Sequence, residues 1–275
     1  MSNWGCYIEN LTISWNKKTI LEQISRDFSI KNEGQENCCM LPIMGETGKG
    51  KSSLLYLMAA LKRPAQGTIK WTFPDNEFFV WGCNGMEECS SDDLRKNLHI
   101  SYFGFAFQDS TLILHLTVIE NLMYPLQIKG MNKKNAQEHA ERVLESVLIK
   151  EEKEDSKFQN KYPGKLSAGK KQRVALAQAM VNDPYVLFVD EPTGNLDPGT
   201  RRQVMDVLKD WVHGKLNLSN EIKTNKSKCL IWVTHHSDDP EYMGLQGDSI
   251  LFVEDRKCSM IDSGALAEKW GNLNS

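Results

Sequence analysis

The chain has no apolar run near the roughly 18 residues that a membrane-crossing helix needs, so no bilayer span is read in it. Its first residues, Met1-Ser2-Asn3-Trp4-Gly5, lack a basic segment followed by an apolar one, and no secretion signal is expected. An excess of one charge is also missing. Thirty-three Lys and Arg stand against 36 Asp and Glu, a net −3 over 275 residues. That excludes a strongly basic nucleic-acid binder. The seven cysteines are an odd number for a disulfide framework in a chain this long. Cys38 and Cys39 are adjacent, and Cys83 and Cys89 have no paired Cys or His cluster. This argues against a zinc site and for the reduced thiols of a cytosolic protein. No internal repeat is present, and the length fits one large domain or two modest ones.

What is present alternates between strand and helix. Tyr7 to Trp15 mixes β-branched and aromatic residues and reads as a strand. A turn at Asn16-Lys17-Lys18 leads to a second strand near Thr19 to Ile24, and Asn32-Glu33-Gly34-Gln35 is another turn. The short apolar run Cys38 to Met44 ends in a glycine-rich loop, and Lys51 to Leu61 reads as a helix stopped by Pro64. Pro42 removes a donor from the strand before that loop, which points to a bulge or a shortened strand. Gly67 to Phe73 and Phe78 to Trp81 read as strands of an antiparallel patch, and Glu87 to Asp93 as a polar connection.

From about 110 to 165 the texture is helical. Ala136, Ala140, Val143, Leu144 and Val147 make the stripe of an amphipathic helix. Lys150 to Lys157 carries seven charges in eight residues and reads as a solvated loop. Lys170 to Val181 is a helix stopped by Asn182-Asp183-Pro184, and Thr200 to Val212 is another. Tyr185 to Val189 is unbroken apolar, as a strand covered on both faces should be. Leu230 to Thr234 and Ser249 to Val253 read likewise, and Lys215 to Lys228 as a surface loop. The expected class is α/β with a mostly parallel core sheet, an N-terminal antiparallel β patch and a helical insertion at 110–165.

Two segments carry chemistry. Gly45-Glu46-Thr47-Gly48-Lys49-Gly50-Lys51-Ser52 fits G-x-x-x-x-G-K-[ST] at every required position. Glycines let successive N–H groups turn inward on phosphate oxygens, and the following helix adds its positive end. Lys51 supplies a point charge to the β- and γ-phosphates, and the Ser52 hydroxyl suits Mg²⁺. Ser53 extends the helix start. The second segment is Asp190-Glu191-Pro192, at the end of the buried run. Carboxylates at that end of a parallel strand lie where α/β sheets bind ligands. Asp190 there would orient Mg²⁺, and Glu191 would poise an attacking water as general base.

Leu166-Ser167-Ala168-Gly169-Lys170, followed by Lys171-Gln172-Arg173-Val174-Ala175-Leu176-Ala177, lies upstream of Asp190. It resembles the L-S-G-G-Q signature of the ATP-binding cassette family. Gln108 resembles that family's Q-loop glutamine, Gly194-Asn195-Leu196-Asp197 its D-loop, His235 its switch histidine and Trp15 its adenine-stacking aromatic. His236 is the neighbour not expected to serve. The resemblance covers about 5 to 265. Phe107 to Leu112, Leu116 to Leu122 and Glu191 to Asp197 are similar to the branch of lipoprotein-release, macrolide-efflux and cell-division ATPases. Ala168 and Lys170 depart from the signature, and Glu46 puts a negative charge inside the loop.

The resemblance implies a single nucleotide-binding domain over 1–275 with a P-loop NTPase fold and the insertion at 110–165. It implies an ATPase that dimerises on ATP and drives integral-membrane permease subunits of an export, lipoprotein-release or mechanotransmission complex. A non-transport regulatory ATPase of a cell-division or envelope-remodelling complex, or a weakly active nucleotide-binding scaffold, is the alternative. The cofactors are ATP and Mg²⁺. Glu191, His235 and Gln108 carry catalysis. Ser52, Gln108 and Asp190 hold the metal. Trp15, Gly45 through Ser53, Ser167, Ala168, Gly169, Lys170 and Asp197 contact nucleotide. The partners are those permeases and a second ABC ATPase chain, expected to be identical, with no nucleic acid. The expected location is the cytoplasmic face of the inner membrane. The surface around Gln108, Leu112, Ile113 and Leu116 is expected to divide between subdomain core and a groove for a short helix of the membrane partner.

Overall fold

The computed structural model describes residues 4–15, 18–30, 38–82, 90–109, 111–194, 196–216, 218, 228–247 and 249–273. In chain order its elements are β1 (Trp4–Trp15), β2 (Lys18–Ile30), β3 (Cys38–Gly45), α1 (Lys51–Met58), β4 (Gln66–Thr72), β5 (Phe78–Trp81), α2 (Asp92–Ser101) and β6 (Phe103–Ala106). Next come α3 (Val118–Ile128), α4 (Lys133–Val147), α5 (Lys150–Lys153), α6 (Ala168–Met180), β7 (Val186–Asp190) and α7 (Pro198–Val212). The chain ends with β8 (Lys228–Val233), α8 (Asp239–Met243), β9 (Ile250–Glu254), β10 (Lys257–Ile261) and α9 (Ser263–Leu273). It divides into two compact units, Met1–Leu98 with Cys229–Ser275, and His99–Lys228. Among the described residues no helix is long and apolar enough to cross a membrane.

The first unit holds an antiparallel sheet in the order β2-β1-β4-β5. Ile8, Leu11, Leu21, Ile69 and Trp71 bury its inner face. The indole N–H groups of Trp71 and Trp81 donate to the carbonyls of Met58 and Lys62 at 2.8 and 2.6 Å. The sheet therefore grips the end of α1 and the chain just beyond it through polar as well as apolar contact. α1 stops sooner than the sequence pattern suggests, because Ala60 already has φ 55°. The same unit carries the strand order β10-β9-β3-β8. β3 runs parallel to β9, and β10 antiparallel to it. β3 is not shortened by Pro42. Its pairing with β9 covers Ile43 to Gly45, so the missing N–H falls outside that ladder. Met44, Ile250, Phe252, Ile261 and Leu266 form one core cluster there.

The second unit pairs β6 parallel to β7 and surrounds them with helices. All five stripe residues of α4 are buried, as their spacing requires. α3 begins with a capping box. Thr117 Oγ1 accepts from the Glu120 N–H at 3.3 Å, and the Glu120 carboxylate accepts from the Thr117 N–H at 2.8 Å. The charged run Lys150 to Lys157 departs from the expected solvated loop. Lys150–Lys153 is a helical turn, and Glu152 is 2% exposed. The carboxylate of Glu152 faces the guanidinium of Arg173, so burial there is compensated by an opposite charge. The turns expected at Asn16-Lys17 and Asn32 to Gln35, and most of the loop at 215–228, lie outside the described residues.

Candidate functional site

In the first unit, the loop from Gly45 to Ser52 joins β3 to α1. Gly45 has φ 134°, and a Cβ there would meet the Val253 carbonyl oxygen at 2.2 Å. Only glycine allows both that backbone angle and that approach. Gly50 caps α1 at φ 102°. Lys51 is buried, and its Nζ donates to the carbonyls of Gly45 at 2.9 Å and Glu46 at 2.8 Å. The ammonium is thus held over the loop by the loop's own backbone. A lysine fixed in this way needs little ordering to meet a polyphosphate. Ser52 and Ser53 are half-buried on the first turn, and Thr47 and Gly48 are exposed at the tip. Lys49 pairs with Glu46 at 2.8 Å, both partly exposed. The Glu46 carboxylate holds the Lys49 ammonium above the ordinary lysine range, chiefly by this hydrogen bond.

His235 follows β8 in the same unit, half-buried, its ring 4.3 Å from that of His236. The segment is anchored by Thr234. The Thr234 N–H donates to the Ile43 carbonyl at 3.2 Å, and its hydroxyl donates to Asp239. The His236 N–H donates to Thr234 Oγ1 at 3.1 Å. Trp15 ends β1 opposite Lys18.

In the second unit, every residue of β7 is buried, Asp190 included. Glu191 turns the chain at φ 44°. A left-handed non-glycine residue costs on the order of 1–2 kcal/mol and marks a backbone held by its surroundings. Gln108, exposed just beyond β6, donates from Nε2 to Glu191 Oε2 at 3.2 Å. The structure thus brings together two residues that the sequence separates by 83 positions. Oxygen donors of the kind Ser52, Gln108 and Asp190 offer suit a hard cation such as Mg²⁺.

The signature segment opens α6. Ser167 takes the N-cap position with extended backbone (φ −66°, ψ 163°) and no side-chain cap bond. Ser167 and Ala168 are exposed, and Gly169 is buried. Lys170 folds back on its own unit, its Nζ 6.0 Å from the centre of the Phe158 ring. Asp155 is held below the usual aspartate range, first by its bond to Lys161 and also by the charge of Lys170. Asp197 caps α7, accepting from the N–H groups of Gly199 at 3.1 Å and Thr200 at 3.0 Å. These bonds hold its carboxyl below the ordinary range, the interaction with the Thr200 side chain counting most. Asn195 lies outside the described residues.

Three polar residues at this site have no individual reading in the sequence. The buried Asn121 accepts from the Ile113 N–H at 2.7 Å and donates to the carbonyls of Ile113, Leu116 and Thr117. It therefore shapes the loop after Gln108, which buries Leu112 and leaves Leu114 71% exposed. The T-x-x-E capping box beside it is the signal that locates it, since it fixes where α3 starts. Glu152 and Arg173 are the other two, and their pairing leaves no local pattern.

A family model described as ABC transporter matches residues 35–194. The lipoprotein-releasing system ATP-binding protein LolD of Rickettsia bellii (strain RML369-C) is 29% identical over 239 residues, 86% of this chain and 91% of that protein. The arginine transport ATP-binding protein ArtM of Bacillus subtilis (strain 168) is 35% identical over 206 residues, 74% of this chain and 75% of that one. A solved dimeric structure of the ATP-binding cassette MJ0796, in a post-hydrolysis state bound to ADP and Pi, superposes with a TM-score of 0.69 at 26% identity. It covers 93% of this chain and 97% of its own. The phosphate loop, the acidic end of β7 and the Ser167–Lys170 start of α6 are thus found in a chain related over most of its length to such cassettes, and the protein belongs to the ABC transporter family.

Proposed function

We propose that this ABC ATPase is the motor subunit of a complex of the lipoprotein-release type, and that two copies close around two ATP·Mg²⁺. Each site would take the phosphate loop of one copy and the signature segment of the other. The chain would act at the cytoplasmic face of a membrane, on integral-membrane permease subunits. The observation that carries this reading is the Gln108–Glu191 hydrogen bond at 3.2 Å. It ties the loop bearing the exposed Leu114 to the carboxylate proposed as base. A partner seated on that loop would then influence hydrolysis through one contact.

The roles follow from the chemistry of each group. Lys51 and the loop N–H groups hold the β- and γ-phosphates. Ser52, Gln108 and Asp190 would hold Mg²⁺, which supplies neutralising charge to the phosphates when bound. Glu191 accepts the proton of a water whose oxygen attacks the γ-phosphorus, and ADP leaves with the bridging oxygen. His235 donates to the γ-phosphate, and Trp15 stacks on adenine. Ser167, the Gly169 N–H and the start of α6 meet the γ-phosphate of the other copy. Asp197 flanks that contact, and Lys170, whose side chain lies toward Phe158, adds its charge beside it. ATP therefore joins the copies, and its hydrolysis releases them, a shift set by the closed form's preference for ATP over ADP. We take 1–275 as one nucleotide-binding domain in which the inserted helices at 110–165 pass the motion to the permease. Leu114, with the half-buried Ile113 and Leu116, would line the groove for a short partner helix.

Phosphate release from the purified chain tests the reading. Steady release that falls by about a hundredfold or more in Glu191→Gln is expected. Release equal in both proteins would remove Glu191 from the reaction, and none in either would favour a nucleotide-binding scaffold.

A further inference from the structure

Arg173 lies on α6, on the same face as Gly169 of the signature segment, one turn away. Its guanidinium is buried and forks between two elements. Nη2 pairs with the Glu152 carboxylate of α5, and Nη1 donates to Gln203 Oε1 of α7 at 2.9 Å. The other Glu152 oxygen accepts from the Ile149 N–H at 3.3 Å, so the same carboxylate also caps α5. Above this fork the two helices touch. A Cβ on Gly169 would meet Thr200 Cγ2 at 2.1 Å. Gly169 and Arg173 therefore face Thr200 and Gln203, and Thr200 is one of the two N–H donors to Asp197.

Burying an ion pair with side chains only 3% and 1% exposed is a poor way to gain stability, because desolvation offsets the attraction. The better-attested use of such a pair is to fix register. A planar fork with two arms suits that use, and a lysine cannot replace it.

We propose that Arg173 is a positioning residue of the ATP-joined dimer. It sets the turn Ser167–Lys170 against the Asp197-capped start of α7, so that both are offered to the second copy as one preformed surface. This rests on the dimer proposed above. Ordering that surface in advance lowers the cost of closing the dimer without touching the nucleotide.

The test uses the full chain with Glu191→Gln as parent, followed by size exclusion with light scattering across ATP·Mg²⁺ concentrations. Arg173→Lys keeps a cation for Glu152 and gives up the arm to Gln203. ADP affinity should match the parent, and the ATP concentration for half-maximal dimer should rise about tenfold. Gln203→Leu cuts the same bond from the other helix and should give the same shift. The double variant should add nothing, since both changes remove one interaction. Should Arg173→Lys fail to fold, Gln203→Leu alone decides. Dimerisation at the parent's ATP concentration in the folded variants, or shifts that add in the double variant, would overturn the proposal. A parent that forms no dimer with ATP would overturn the dimer itself, and this role of Arg173 with it.

Discussion

The phosphate loop and the signature segment both lead into a helix start, an end that suits an anion, yet they are held in different ways. The loop is held by near neighbours. Lys51 binds two carbonyls of its own loop, and Gly45 rests on the backbone of Val253. The signature turn has no side-chain cap of its own. Its support comes from side chains far along the sequence, with Glu152 21 positions and Gln203 30 positions from Arg173. A backbone-held site tolerates little change of residue type within its motif. A site held by tertiary contacts can vary at its tip, as the exposed Ala168 and the half-buried Lys170 do here, provided the buried contacts behind it remain.

Substitutions can break this contrast. Lys51→Ala should have the largest effect, lowering phosphate release by about a hundredfold or more, because the charge opposite the phosphates is lost. Glu152→Ala should come next. It leaves the buried Arg173 guanidinium without its carboxylate and should lower stability by about 3–5 kcal/mol in denaturant unfolding. The same change at the exposed neighbour Glu151 should stay within about 0.5 kcal/mol. Equal effects at the two positions would show that the pair does not support the signature turn. Gly169→Ala should cost about 1–3 kcal/mol, because the added methyl meets the Thr200 side chain. A loss of that size by thermal unfolding, with ADP binding unchanged, would separate this region from the loop.

The smallest effect is a pH dependence. The lowered Asp197 carboxyl means that the cap on α7 contributes fully above the ordinary aspartate value, about 3.9. The contribution is lost as the pH falls through the lowered value. The gap in melting temperature between the unsubstituted chain and Asp197→Ala should be constant from neutral pH down to about 4 and close below it. A gap that does not change with pH would mean that the carboxylate plays no part in capping.

The same contrast explains what the sequence made legible. The loop motif, the buried runs at β7 and β8 and the stripe of α4 are local patterns, and each reappears in the structure. The fold class followed from them, and the family from the resemblance of Leu166 to Lys170 and its companion motifs to the ATP-binding cassette signature. Glu152 was hidden because a run of alternating charges looks solvated whichever member is buried, and its partner sits on another helix. β6 is only four residues long, and α3 contains Pro125, which reads as a breaker. Asn121 was unreadable because its bonds go to the backbone of a loop whose path is set by α3. The bond between Gln108 and Glu191 is likewise a product of the fold.

The most direct test of the account is the mass of Glu191→Gln in solution with ATP·Mg²⁺ and, separately, with ADP·Mg²⁺. A dimer with ATP, formed in spite of Ala168 and Lys170, and a monomer with ADP are expected. A monomer with both nucleotides, in a protein that still binds ATP, would contradict it.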